Sequence, residues 1–244
     1  MKSIQEFLVI LAMLLAFVSL IGAFSSGTGV RFGFWEFRTG FGILRWSVYA
    51  AGAAVVLSLV AVMLAKPAGV GFWDLRIILA FIIGAAVIAV PYFTVKEFRK
   101  IPTVADATTD MEDPPQFVAL IPLRQKTAKN PLQYRYDEAS ALQRQYFPDL
   151  TGFSADKKPA EIIAAAKVAA LAMGLEIVDA VPEEGRLEAT DTTFWFGFKD
   201  DVIVRARPQA DGRTQVDIRS ASRVGRLDGG VNGKRVQRLL QMMK

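Results

Sequence analysis

The sequence predicts three transmembrane α-helices followed by an α+β two-layer domain, an antiparallel four-stranded sheet packed with two helices. Three observations carry that reading. Residues 1–100 are dominated by long apolar runs and residues 116–244 are not. Strand-like alternation recurs four times between Glu176 and Ser222, and the Asp211-Gly212 pair within that stretch is a strong two-residue hairpin signal. The mean hydropathy of +0.29 averages two different materials and describes neither.

The first run, residues 4–24, is uncharged past Glu6 and about twenty residues long, enough for a hydrocarbon core of roughly 30 Å. Its basic start and small residues near Ala23 to Ser26 also resemble a signal peptide, but two further runs favour a retained anchor. The second and third, residues 46–65 and 75–95, have no ionisable residue inside once past Arg76, so nothing marks an ion path. Ala50 and Ala54, and Ala80 and Gly84, are small residues at four-residue spacing that let helices approach closely. Between the first two runs, residues 28–45 carry Arg31, Arg38 and Arg45 seven residues apart among Phe32, Phe34, Trp35, Phe37 and Phe41. This reads as an interfacial aromatic and arginine loop, with rings at head-group depth and guanidinium groups snorkelling. A docking surface for a partner's span is the alternative.

Residues 101–115 are a polar linker with proline at both ends. Asp110, Glu112 and Asp113 invite a cation-site reading but lack the spacing of a calcium loop, so turn chemistry is preferred. In the domain at 116–244, a helix is expected over residues 137–146, and Tyr134, Tyr136, Tyr146 and Phe147 line a pocket or pack on the sheet. A helix covers 157–173, capped by Asp156, with Pro159 in its first turn and ended by Gly174. The strands are 176–181, 187–196, 202–207 and 214–222, and a last amphipathic helix covers 232–244. In the last two strands Val202, Val204, Ala206, Val216 and Ile218 fall on one face, and Arg205, Arg207, Asp217, Arg219 and Arg223 on the other.

With no cysteine and no histidine, the chain has no disulfide, thiolate, Ser-His-Asp triad or usual zinc ligand. No cofactor, metal site or catalytic residue is expected. The net charge of +5 collects beside the apolar runs, pointing to lipid head groups rather than nucleic acid. The candidate anion or partner surface is Arg205, Arg207, Arg219 and Arg223, whose forks suit phosphate or carboxylate, with Trp195 of the Phe194–Phe198 run as an exposed ring. A solvated ladder of cross-strand ion pairs is the plainer reading of those arginines. Asp191, Asp200 and Asp201, or Ser220 and Ser222, are the weak material for an enzyme.

Three segments, TTDMEDPP (108–115), LQRQYFPDL (142–150) and residues 188–235 with FWFGFKDDVIVRARP, VDIRSASRVGR and GGVNGKR, together resemble the domain of unknown function 1499 family of bacteria and photosynthetic organisms. Family members sometimes carry a lipoprotein-type signal instead of spans, which implies an exported domain. That implication favours an N-terminus inside and a domain in the periplasm, anchored in a bacterial inner membrane. The basic residues oppose it, since Lys2, Lys66 and Arg76 stand inside against Arg31, Arg38, Arg45, Lys96, Arg99 and Lys100 outside. A histidine often precedes the family's acidic motif; Val104-Ala105-Asp106 stands there instead, and no catalytic residue is carried over. The expected function is a membrane-anchored cell-envelope protein that binds or scaffolds a membrane component or complex, with the bilayer, anionic lipid head groups or a membrane protein as partners. The alternative is a carboxylate-dependent hydrolase acting on an envelope lipid or polymer.

Overall fold

A computed structural model describes residues 1–65, 68, 74–100, 105–134, 136–225 and 228–244. Lys66 of the charge count, residues 101–104 of the linker and the Tyr136 side chain lie outside the described residues. The chain forms two compact units, Met1–Lys96 with Phe194–Gly197, and Glu97–Thr193 with Phe198–Lys244.

The first unit is built on three helices, α1 (Lys2–Arg31), α2 (Phe37–Ala65) and α3 (Leu75–Phe98), each long and apolar enough to cross a membrane. Their buried positions recur three and four residues apart: Val9, Ala12, Ala16, Ser19, Ala23 and Ser26 on α1; Ser47, Ala51, Ala54, Ser58, Ala61 and Ala65 on α2; Ile77, Ala80, Gly84 and Val87 on α3. Large apolar side chains point away from this seam, as expected where lipid is the solvent and small residues bring backbones together. The seam serines bond back to their own helix, Ser19 to the Ala16 carbonyl at 2.7 Å and Ser58 to Ala54 at 2.8 Å, so no hydroxyl is left unpaired.

The expected interfacial loop at 28–45 is mostly helix. Only residues 32–36 lie outside α1 and α2, so Arg31 sits on a different helix from Arg38 and Arg45 and the three share no face. Glycine makes the tight turn: a Cβ on Gly29 would stand 2.0 Å from the Trp35 ring, and Gly33 has φ +76°. Trp35 folds back to donate its indole N–H to the Ser26 carbonyl at 3.1 Å.

In the second unit the sheet has six strands, not four. β1 (Asp106–Thr108) and β2 (Phe153–Ala155) pair end to end along the outer edge of β6 (Thr214–Ser222). β6 is followed by β5 (Lys199–Pro208), β4 (Arg186–Thr192) and β3 (Glu176–Val181), all antiparallel. The two extra strands have three residues each, too short for alternation to reveal. The third expected strand stops early: β4 ends at Thr192, and Phe194–Gly197 belong to the helical unit.

One sheet face packs through Leu187, Ala189, Val202, Val204, Val216 and Ile218 against α5 (Tyr136–Tyr146), α6 (Pro159–Ala172) and α7 (Val231–Met243). Pro159 opens α6 as expected, but Lys158 rather than Asp156 is its cap, with Glu161 accepting the Lys158 N–H at 2.8 Å. The opposite face is also covered. Phe117, Leu120, Ile121 and Leu132, around the short α4 (Ile121–Thr127), close over Ile203 and Ala221. The domain is therefore covered on both faces, where two layers were expected.

Candidate functional site

Most of the charged set of the alternation lies under that second cover, and its side chains are neutralised there by one another and by residues of the covering segment. Three registered rows cross the sheet: Arg186, Arg205 and Asp217; Glu188, Ile203, Arg219 and Thr108; Thr190, Asp201, Ala221 and Asp106. Period-two geometry puts them on one face, and an uncompensated charge buried there would cost several kcal/mol, so each finds a partner.

Arg219 is fully buried. It donates to both oxygens of Asp106, at 2.9 and 2.7 Å, and to the Pro115 and Leu132 carbonyls, with its guanidinium over the rings of Phe117 (5.1 Å) and Tyr134 (5.8 Å). Arg223 and Arg124 share Asp201. Arg223 reaches it at 2.8 and 2.9 Å, Arg124 at 2.8 Å, and Thr190 adds a hydroxyl at 2.8 Å. Glu188, fully buried, accepts the N–H groups of Val118, Ala119 and Leu120 at 2.8, 3.1 and 2.9 Å and an Arg186 bond at 2.7 Å. It thereby satisfies amides that lead into α4, which have no intrahelical acceptor.

The expected surface of four arginines thus divides. Arg219 and Arg223 are interior, because the 105–134 segment covers them and supplies their carboxylate or helix partners. Arg205 is largely buried, bonded to the Asp113 carbonyl (2.7 Å), Asp110 (3.2 Å) and Asp217 (3.3 Å). Arg207 alone keeps about half its side chain, 45%, in solvent, and donates to Asp113 at 2.5 Å. The two guanidinium groups hold the Asp113 carboxyl below the usual range, the Arg207 bond foremost. Asp110 caps its own turn by accepting the Glu112 and Asp113 N–H groups at 3.2 and 2.9 Å.

Beside these pairs opens a polar cavity of about 440 Å³, lined among others by Thr109, Glu112, Arg144, Thr151, Gln215 and Asp217. Asp217 forms its floor and accepts from Thr109 and Gln215, both at 3.2 Å. Gly152 is required at its wall: a Cβ would stand 2.5 Å from both Asp217 Oδ1 and the Val216 carbonyl.

Trp195 lies in the helical unit. Its indole donates to the Phe24 carbonyl at 3.2 Å and its ring covers Gly27, while Phe196 stacks on Phe41 at 4.9 Å and Arg31 donates to the Phe194 carbonyl at 2.6 Å. The exposed ring is instead Phe194, at 89%.

The weak enzyme candidates sit in a second network. Asp191 and Asp200 are cross-strand partners, bridged by Arg235 at 2.6 and 2.9 Å. Arg235 also donates to Ser220 (3.0 Å) and Asn232 (2.9 Å). Asp228 accepts the Gly230 and Asn232 N–H groups at 2.9 and 3.1 Å, capping α7, and burial raises its carboxyl pKa despite those bonds. Sequence reasoning missed Asp106, Arg124, Glu188 and Arg235. The one available signal was position, since Glu188 and Arg235 bound the third family-like segment.

The family described as "Protein of unknown function (DUF1499)" matches residues 106–243. No curated protein and no solved structure matches the chain.

Proposed function

The chain belongs to the DUF1499 family of proteins of unknown function, and from that premise we propose that it is a membrane-anchored binding or scaffold module of the cell envelope. Its ligand is a membrane component or a subunit of a membrane complex. The observation that carries this reading is the state of the acids: Asp191, Asp200, Asp201 and Asp217 are each ion-paired to arginine, which suits a rigid frame better than proton transfer. What the frame presents to solvent is the polar cavity and Arg207 at its edge. The domain faces the periplasm, and the three helices hold it in the inner membrane.

A second reading, a carboxylate-dependent hydrolase, has one observation in its favour. Asp191 and Asp200 face each other across β4 and β5, near the high-titrating Asp228. Arg235 stands between the pair and would have to move for either to act as a base.

Purification from native membranes in mild detergent tests the first reading. A stoichiometric envelope component should accompany the wild type and be lost on Arg207→Glu. Release of product from envelope lipid or polymer, abolished by Asp200→Asn, would instead establish the hydrolase.

A further inference from the structure

The helical unit carries a second cavity, an open groove of about 620 Å³ between α1 and α2 lined by Val18, Ser19, Gly22, Thr39, Gly42, Ile43, Trp46, Ser47 and Ala50. Two of its polar groups are already used inside their helix, Ser19 on the Ala16 carbonyl and Ser47 on Ile43, so the wall is effectively apolar. Depth follows from the sequence. Arg45 immediately precedes the 46–65 run, and Trp46 and Tyr49, edge to face at 5.6 Å, mark the interface beside it. From Thr39 to Ala50 the groove descends roughly 16 Å at 1.5 Å per residue, from head-group level into hydrocarbon.

Two cations stand beside its α2 lip, though neither is among the residues that line it. Arg38 and Arg45, one heptad apart on α2, are exposed and neighbour Gly42 and Trp46. Neither forms an ion pair among the described residues; Arg38 only rests over the Phe37 ring at 6.0 Å. Two arginines without counter-ions at head-group depth, above an apolar groove, match a phosphate above an acyl chain.

We propose that the α1/α2 groove binds one anionic phospholipid, with an acyl chain along Gly22, Ile43 and Ala50 and the phosphate on Arg45 and Arg38. A second copy of the chain is a poorer occupant, because a two-fold contact brings the same arginines together at the same depth. The site requires only that the helices span a bilayer, so it stands independently of any ligand of the sheet domain.

The test uses the full chain in mild detergent, with native mass spectrometry across titrations of phosphatidylglycerol and phosphatidylcholine bearing identical acyl chains. The wild type should bind phosphatidylglycerol at least tenfold more tightly. Arg38→Gln with Arg45→Gln should bring the two lipids within about twofold. Gly42→Leu should weaken both at least tenfold: a Cβ there meets nothing within 4 Å, so the side chain fills the groove without disturbing the fold. Equal affinity of the wild type for the two lipids, unchanged binding by Gly42→Leu, or a dimer that excludes lipid from the groove would each overturn the proposal. Loss of an envelope partner on Arg207→Glu, or its persistence, leaves these titrations unaltered.

Discussion

Arg219, the fourth-from-last residue of β6, is tied to Asp106 at the start of β1 by two hydrogen bonds of 2.9 and 2.7 Å across 113 residues of sequence. The pair joins the edge strand β1 to its neighbour β6 beneath a cover of Phe117 and Tyr134. It also shows how the charged face of this domain can be interior: its arginines are held by acids of neighbouring strands, such as Asp201 and Asp217, and by Asp106 from the segment that covers them.

Asp201 is the strongest test of that interior network. It is fully buried between Arg124 and Arg223, so Asp201→Ala leaves two buried guanidinium groups without a counter-ion. We expect a loss of about 3–5 kcal/mol, read from chemical denaturation of the full chain in detergent. Arg223→Met combined with Asp201→Met should cost less than the sum of the two single changes, since each single change strands the Arg223 or Asp201 charge and the double change does not, while Arg124 loses its counter-ion whenever Asp201 is replaced.

Glu188→Gln halves the acceptor capacity facing Val118, Ala119 and Leu120. A buried amide left unpaired costs about 1–3 kcal/mol, so amide hydrogen exchange at Leu120 should accelerate while exchange in α6 is little changed.

Gly152→Ala should separate β2 from β6, because the new methyl meets backbone as well as the Asp217 carboxylate. A cost of about 1–3 kcal/mol is expected, with exchange protection lost at Phe153 to Ala155.

Two carboxyls should titrate in opposite directions from the ordinary aspartate value of about 3.9. Asp113 is lowered in the folded state, so its stabilising contribution is present above that value and fades as pH falls through its folded pKa. Asp228 is raised, so its contribution is present below the ordinary value and is lost as pH rises through its folded pKa. Asp113 is well exposed and its share is under about 1 kcal/mol. Carboxyl-carbon NMR titration reads both midpoints directly, and Arg207→Gln should move only that of Asp113 upward.

The three apolar helices were legible because length and composition suffice to mark them. The alternation of Val202, Val204 and Ala206 against Ile203 and Arg205 was legible too, since period two needs only one strand. What covers the odd face was not. An arginine in a strand reads as outward because charged side chains are rarely fully buried, and the segment that covers Arg219 and Arg223 and brings Asp106 and Arg124 to them has no periodicity. The Phe194–Gly197 run misled for a related reason: consecutive rings look like a strand, and Gly27, which accommodates Trp195, is about 170 residues away.

The orientation proposed for the sheet domain rests on family resemblance against the basic-residue count. A reporter fused at Lys244 should be active in the periplasm of a bacterial host, and activity confined to the cytoplasm would reverse the assignment.

The most direct measurement of the binding-module reading is site-specific photo-crosslinking in intact cells. A photoreactive residue replaces Glu112 at the cavity rim, or Val168 on the exposed side of α6 as a control. A discrete envelope adduct at position 112, absent at 168 and lost on Arg207→Glu, is the expected result. No adduct at 112, or the same adducts at both positions regardless of Arg207, would contradict it.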